Sequence, residues 1–512
     1  SGVKNIGSCA FSGCGSLASV KIADSVTAIG EEAFYNCGSL TDVRIPEGVT
    51  AIGEKAFYSC ERLVSASLPN GLTHIGAYAF YGCKNLTDIT IPESVECIEE
   101  YAFRSCSSLE NITIPENITC IEKGTFSGCA KLASVHISEN VTEIAGNDEY
   151  VSDGAFAGCI SLKSLDLPKS VNHIGEYAFA SCKGLTDVTI RGAAHMEREA
   201  FRDCISLTNV DMERVKSIGY SAFLNCASLK TITIPGSVEN VDWKAFYECG
   251  SLTSVILQEG VKSIGELAFW GCTSLASVRI PETLTDIGDS AFSGCTSLAG
   301  VSIPGQGVRI GAYAFLECGS LVSVSLSGSV ESIGFGAFDS CGSLKGIAIS
   351  EGITSIYGLT FSDCKSLASI TLPKTVTSID DYAFQNCKGL KKVYYGGSEA
   401  DWAEIQIGDG NSALIGAKRY YDTAKVTTEI RPADVETLSF GTKLTLTAWA
   451  MPEETKVSAR WSLAPGDEDY ASITSAGVLT AKAVDAIQEI TVIATPTDGS
   501  PEATKTIRIL PQ

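Results

Sequence analysis

The sequence predicts an α/β solenoid built on a parallel sheet with short helical turns, followed by a small all-β domain. Three observations predict it. A phenylalanine recurs at 11, 34, 57, 80, 103, 126, 156, 179, 201, 223, 246, 269, 292, 315, 338, 361 and 384, with a period of 23 residues almost throughout. Each copy carries the same two hydrophobic rhythms. From about residue 425 both rhythms give way to simple alternation of apolar and polar residues.

The clearest copy runs Ala33-Phe34-Tyr35-Asn36-Cys37-Gly38-Ser39-Leu40-Thr41-Asp42-Val43-Arg44-Ile45-Pro46, then Val49 and Ile52-Gly53. Phe34 and Cys37 are three apart, which places them on one face of a helical turn. Val43 and Ile45 share one face of a strand, while Asp42 and Arg44 point the other way. Val49 and Ile52 supply a second, shorter apolar segment, and Gly53 reads as a sharp bend. One such unit cannot bury its apolar side alone. Stacked units can, because each covers its neighbour. Strands entered in the same direction each time make a parallel sheet, with Phe, Cys, Leu and Val/Ile in continuous internal columns.

Leu-x-x-Val-x-Ile-Pro-x-x-Val-x-x-Ile-Gly-x-x-Ala-Phe-x-x-Cys, repeated over about residues 1–390, resembles the BspA-like class of leucine-rich repeats. The resemblance implies a curved right-handed leucine-rich-repeat solenoid, here of 17 repeats, on a bacterial surface protein associated with adhesion.

Composition narrows the function. The chain has 512 residues and a net charge of −22, which argues against nucleic acid and anionic membrane surfaces as partners. It holds no apolar run long enough to span a bilayer. It opens directly in a repeat, at Val3-Lys4-Asn5-Ile6-Gly7, as expected of a fragment or mature region without its targeting segment. Of the 20 cysteines, seventeen sit three residues after the repeat Phe, from Cys14 to Cys387. That spacing predicts a buried column of free, small, apolar side chains rather than disulfides or zinc ligands. Cys97 and Cys120 share another repeat position in adjacent units; a bridge and two free thiols both fit. Cys9 stands alone.

Three segments depart from the repeat. Ile144–Asp153 is an acidic insertion carrying Tyr150, expected to emerge as a loop. Residues 391–424 are aromatic and lack the repeat, and are expected to cap the last coil with Trp402 as anchor. Residues 425–512 read as short strands, clearest at Thr442–Trp449 and Glu489–Ala494, punctuated by Pro452, Pro465-Gly466, Gly477 and Asp498-Gly499. On Gly441, Leu444, Trp461 and Gly477-Val478-Leu479-Thr480-Ala481 this part resembles bacterial Ig-like domains of group 2, which implies a small sandwich with Trp461 in its core.

Catalysis needs a few groups in one unique constellation, and this chain offers repetition instead. Its four histidines include His74 and His173 at one repeat position four repeats apart, too far to share a metal. No metal site, cofactor or catalytic group is expected. The outward strand residues are mostly small and polar. Asp166, Asp187 and Asp211 fall in three successive repeats and are candidates for a cation or a basic ligand. On the turn side, Tyr35, Tyr58, Tyr78, Tyr81 and Tyr101 form one candidate contact patch, and Tyr247 with Trp270 a second. With the resemblance, these features point to a non-catalytic binding protein of adhesin type, extracellular and either secreted or wall-attached. A host matrix protein or a surface glycan is the expected partner, with no nucleic acid and no membrane insertion. A structural spacer displaying another domain, or an accessory module of a glycan-degrading protein, are the alternatives.

Overall fold

The computed structural model describes residues 2–146, 153–326, 328–422, 427–431, 437–439, 442–451, 455–464, 466–482, 488–497 and 502–510. The chain divides into two compact units, residues 1–273 and 274–512.

In the first unit each coil contributes to three ladders. The first is the main strand: Asp42–Arg44 pairs in parallel with Ser65–Ser67, and Ser164–Leu167, Asp187–Ile190 and Asn209–Asp211 follow one another likewise. Val43 and Ile45 point inward and are buried, as the alternation requires, while Asp42 and Arg44 face solvent. The second ladder is made of two-residue strands, Ala28–Ile29, Ala51–Ile52, His74–Ile75 and Cys97–Ile98, with the isoleucine inward each time.

The third ladder corrects an expectation. The segment around each Phe is a run of turns with no α-helix. Apart from Gly154 before Phe156, the residues two before and two after each column Phe have left-handed backbone, such as Glu32 (φ 52°) and Asn36 (φ 55°). Glu32, Phe34 and Asn36 donate their N–H groups to the next coil, at Glu54, Ala56 and Tyr58, over 2.7–2.8 Å. The residues between them, Ala33, Tyr35 and Cys37, donate back within the coil to Gly30, Glu32 and Phe34 over 3.1–3.3 Å. Alternating backbone hand turns successive amides outward to the neighbour and inward to the turn. A helix would spend all its amides on itself and leave the neighbouring coil unbonded. A non-glycine residue held left-handed costs about 1–2 kcal/mol; the inter-coil bonds offset it. Three-residue spacing in the sequence fits either geometry.

Gly53 also has a different role. Its φ is ordinary, but a Cβ there would lie 2.6 Å from the Gly30 carbonyl carbon of the previous coil. The residue is small because two backbones approach closely, not because the chain bends.

Inside each unit the Phe rings stack one on the next. Phe34–Phe57 and Phe57–Phe80 have centroids 5.2 and 5.3 Å apart and planes within 8° of parallel. From Phe34 onward the described rings are fully buried, while Phe11 in the first coil is 36% exposed. The cysteine column is free and buried from Cys37 on. It does more than fill space: each thiol aims at a carbonyl, as where Cys60 Sγ donates to Phe34 O at 3.2 Å. Burial pushes the Cys60 thiol up to about 12. Cys97 and Cys120 are both free.

The second unit repeats the three ladders. Gly300–Ser302, Ser323–Ser325, Gly346–Ala348 and Ser369–Leu372 continue through Lys392–Tyr395 to Lys418–Tyr420. The segment after 390 therefore loses the repeat sequence yet keeps the path of a coil. Gln406–Ile407 extends the second ladder from Ser378–Ile379. Asn411 finishes the third, accepting the Phe384 N–H at 2.9 Å and donating to Asp380 O at 2.8 Å. Trp402 is 8% exposed and meets Tyr395 edge-on at 5.3 Å. It sits on the short helix Glu399–Ala403, whose start is closed by a reciprocal Ser398–Asp401 cap.

Beyond residue 426 the described strands, from Thr427–Arg431 to Ala503–Leu510, form small, mostly antiparallel sheets. Their shared core includes Leu446, Leu479, Ile490, Val492, Ile507 and Ile509, and Trp461 packs half-buried against it. The Thr442–Trp449 stretch, expected as one strand, splits at buried Leu446. Lys443–Thr445 pairs with Val478–Ala481 and Thr447–Met451 with Thr427–Arg431, so the chain changes sheets there. The insertion residues 147–152 with Tyr150, and Gly441, Pro452, Pro465, Asp498 and Gly499, lie outside the described residues.

Candidate functional site

The tyrosines stand where the repeat puts them, on the turn side just outside the Phe stack. Tyr35, Tyr58 and Tyr81, each following a column Phe, stack with centroids 4.9 and 4.6 Å apart. Tyr78 and Tyr101, each two before a column Phe, stack at 4.9 Å, and Tyr78 meets Tyr81 at 5.9 Å. The structure thus brings all five together in two adjoining columns. Tyr101 is buried and the other four half-buried, because each ring face covers a neighbour. What the patch offers outward is ring edges rather than open faces. Cations brace it: Arg104 lies 5.8 and 5.5 Å from the Tyr81 and Tyr101 rings, and Lys55 5.7 Å from Tyr78. Arg104 is itself held by Asp153 at 2.8 Å. Burial raises the Tyr58, Tyr78 and Tyr101 hydroxyls above their ordinary value, so these side chains act as neutral hydrogen-bonding groups.

The second patch is larger than the sequence suggested. Tyr247 and Trp270 stack at 4.6 Å. Beside them Tyr220 and Trp243 stack at 4.5 Å, and Lys244 lies over both Trp243 and Tyr247 at 4.0 and 5.1 Å. Tyr220 and Trp243 sit three before their Phe; aromatic residues at one position of adjacent repeats were the signal available for them.

The three aspartates do not converge. Asp166 and Asp211 occupy the third position of their strands and Asp187 the first, so Asp187 lies in the neighbouring row. Asp166 is taken by Arg191, which donates through Nε and Nη2 over 2.7 and 2.5 Å. Asp187 accepts from Thr186 Oγ1 at 2.6 Å and Asn209 Nδ2 at 2.7 Å, and these bonds hold its carboxyl below the usual range. Among the described residues no group of three or more His, Cys, Asp or Glu could hold a metal ion. His195 stands next to His173 in the second ladder, a neighbour hidden in the sequence by the shortened repeat between them.

Sequence reading also missed a cleft of about 770 Å³ in the second unit. Phe335 and Tyr382, 42% and 46% exposed, flank it. Gly358 and Leu359 form part of its lining, with Asp380, Asp381 and Gln406. The available signal was Tyr357-Gly358, where most repeats place the glycine first and a larger residue second.

The family model described as "BspA type Leucine rich repeat region (6 copies)" matches residues 1–78, 50–148, 144–250, 194–308 and 285–400. The chain belongs to the BspA-type leucine-rich repeat family. A leucine-rich repeat protein of Bacteroides ovatus is 26% identical to this BspA-type chain, over 79% of it and 92% of that protein, with a TM-score of 0.52. A leucine rich cell surface protein of Faecalibacterium prausnitzii is 28% identical over 76% and 89%, with a TM-score of 0.38. A leucine-rich repeat protein of Eubacterium ventriosum is 25% identical over 60% and 83%, at 0.40. No curated protein matches the chain. The BspA-type family is one of leucine-rich repeat proteins. Among the described residues no helix is long and apolar enough to cross a membrane.

Proposed function

We propose that this BspA-type chain is a non-catalytic binding protein of the bacterial exterior, secreted or wall-attached, that holds a host matrix protein or a surface glycan. The division behind the reading is a solenoid over 1–390, a cap and linker over 391–424 and an Ig-like module over 425–512. The observation that supports it most is the double tyrosine column at 35–101, an exterior row of neutral hydrogen-bonding edges braced by Lys55 and Arg104. Aromatic side chains held in this way present contact area with little entropy left to lose. Tyr247 and Trp270 give a second contact of the same kind. Asp166, Asp187 and Asp211 supply scattered charge for a basic ligand rather than a metal cage. Many weak contacts along a repeated face, multiplied by several copies on one cell, give avidity.

The test is a binding screen of the purified chain against matrix proteins and glycans, with the Tyr58→Ser, Tyr81→Ser double variant beside it. The expected result is a ligand whose affinity falls at least tenfold in the variant while the circular dichroism of the solenoid is unchanged. Equal affinity in both proteins removes the tyrosine columns from the site. A chain that binds nothing on the panel supports the display-stalk reading, and sugar release from a polysaccharide panel supports the glycan-degrading one.

A further inference from the structure

The outward row of the main ladder changes character along the chain. Upstream strands mix small polar residues such as Ser65, Ser67, Thr231 and Thr233 with Asp42 and Arg44, Asn111, His136, Asp166, Asp187, Asp211 and Arg279 in its outward positions. Between residues 300 and 371 the same positions hold only Gly300, Ser302, Ser323, Ser325, Gly346, Ala348, Ser369 and Thr371, before Lys392 and Tyr394 restore charge and bulk. Upstream outward residues such as Asp42, Asn111 and Asp187 are exposed, but Ser323, Ser325 and Ser369 are 4%, 7% and 2% exposed.

Within the second unit the all-β module explains the change. Its strand Gln488–Pro496 lies against Ser323–Ser325. Ser325 Oγ donates to the Glu502 carboxylate, which also accepts from Thr495 Oγ1 at 2.8 Å. Arg460 reaches across to donate from Nη2 to the Ala299 carbonyl at 2.9 Å. It passes over Gly300, where a Cβ would lie 1.6 Å from Arg460 Nη1. A side chain at 300 would therefore displace the guanidinium. A cleft of about 420 Å³ remains beside the contact, lined by Ser325, Gly346, Ala348 and Thr371 on one side and Thr495 and Glu502 on the other.

We propose that residues 299–371 of the ladder are a built seat for the chain's own C-terminal module, which stays docked there in solution and closes this stretch to outside ligands. Two independent features meet in it. The ladder sheds charge and bulk over this stretch, and the module brings a cation, a carboxylate and a strand to that place. An apolar or small surface left to solvent has no need to lose its charges, which keep a long array soluble. The module is then a fixed part of the array rather than a loose spacer, and ligands are left the upstream ladder and the turn-side columns.

The test compares the full chain with a Ser323→Asp, Ser325→Arg variant and with Arg460→Ala. The solenoid itself tolerates the ladder changes, because the equivalent outward positions upstream already hold Asp42 and Arg44. X-ray scattering reads the radius of gyration, and hydrogen exchange reads protection of the module strand 488–496. The expected result is a compact wild type, with a larger radius and faster exchange at 488–496 in the Ser323→Asp, Ser325→Arg variant. Arg460→Ala, which leaves the ladder untouched, shifts both readouts the same way by a smaller amount. Circular dichroism of the solenoid stays constant in all three. Identical scattering and exchange in wild type and the charged variant overturns the proposal, as does a wild type that is already extended. No ligand is involved, so the outcome is independent of the binding screen.

Discussion

Mutual sealing of the coils makes its sharpest prediction at the Phe stack. Phe80 is fully buried and lies 5.3 Å from both Phe57 and Phe103. Phe80→Ala removes the ring from between two neighbours that the backbone ladders hold in place, so the space cannot close. A buried Phe→Ala change costs about 3–5 kcal/mol. Two lost stacking contacts, about 0.5–1.5 kcal/mol each, place this site toward the upper end of that range. Phe11 has one stacked partner, at 5.1 Å, and is 36% exposed. With about two-thirds of a Phe burial at stake, Phe11→Ala costs about 1–2 kcal/mol. A solenoid opens locally, so a single global melting point would blur the comparison. Native-state hydrogen exchange at the Phe80 amide, which donates to Ala102 O at 2.7 Å, reads it directly. A loss of about 4 kcal/mol accelerates exchange there by about a thousandfold. The Phe11 change should speed exchange at its own amide, bonded to Ala33 O, by about tenfold. Equal effects at the two sites would refute the reasoning, because end and interior coils would then not differ in what their neighbours cover.

Three further outcomes follow from the same geometry. Thiol labelling of the native chain should modify exposed Cys9 and Cys14 quickly and half-buried Cys97 and Cys120 slowly, while the column from Cys37 to Cys387 reacts only after denaturation, as counted by mass spectrometry. Gly53→Ala should destabilise its coil by about 1–3 kcal/mol, from a backbone collision with Gly30 rather than from strain at Gly53 itself, measured by native-state hydrogen exchange at the residue 53 amide, which bonds to Ile29 O. The Ser398–Asp401 cap holds the Asp401 carboxyl below its ordinary value through hydrogen bonds from Ser398. Its folded pKa lies below the unfolded one, so the stabilisation is complete above the ordinary carboxylate range and fades as pH falls below it; exchange at the Asp401 and Trp402 amides should rise over that acid window in wild type and not in Asp401→Asn.

The cap shows where local pattern stops being a guide. Tyr394-Tyr395, Trp402 and Tyr420 mark residues 391–421 as unlike the repeat, and that much is visible in composition. That the segment nonetheless runs one more coil, ending each ladder with a different device, depends on backbone pairing with Ser369–Leu372, Ser378–Ile379 and Phe384. The five tyrosines at 35–101 were legible because equal spacing forces adjacency in a stack. Phe335 and Tyr382 were not, since the cleft between them comes from one glycine displaced by one position. Asp166, Asp187 and Asp211 look alike in sequence but fall in two rows, because Asp187 takes the first position of its strand while Asp166 and Asp211 take the third.

The sequence by itself determined the periodicity, the inward columns of Phe, Leu and Cys, and the parallel stacking. A fixed period repeats the same burial problem, and stacking is the one solution every copy shares. The tertiary structure alone decided how the amides around each Phe are spent, which small residues serve close backbone approach, and where the C-terminal module rests. Those outcomes depend on bonds between residues 22 to 26 apart, or on opposite ends of the second unit, which no local pattern encodes.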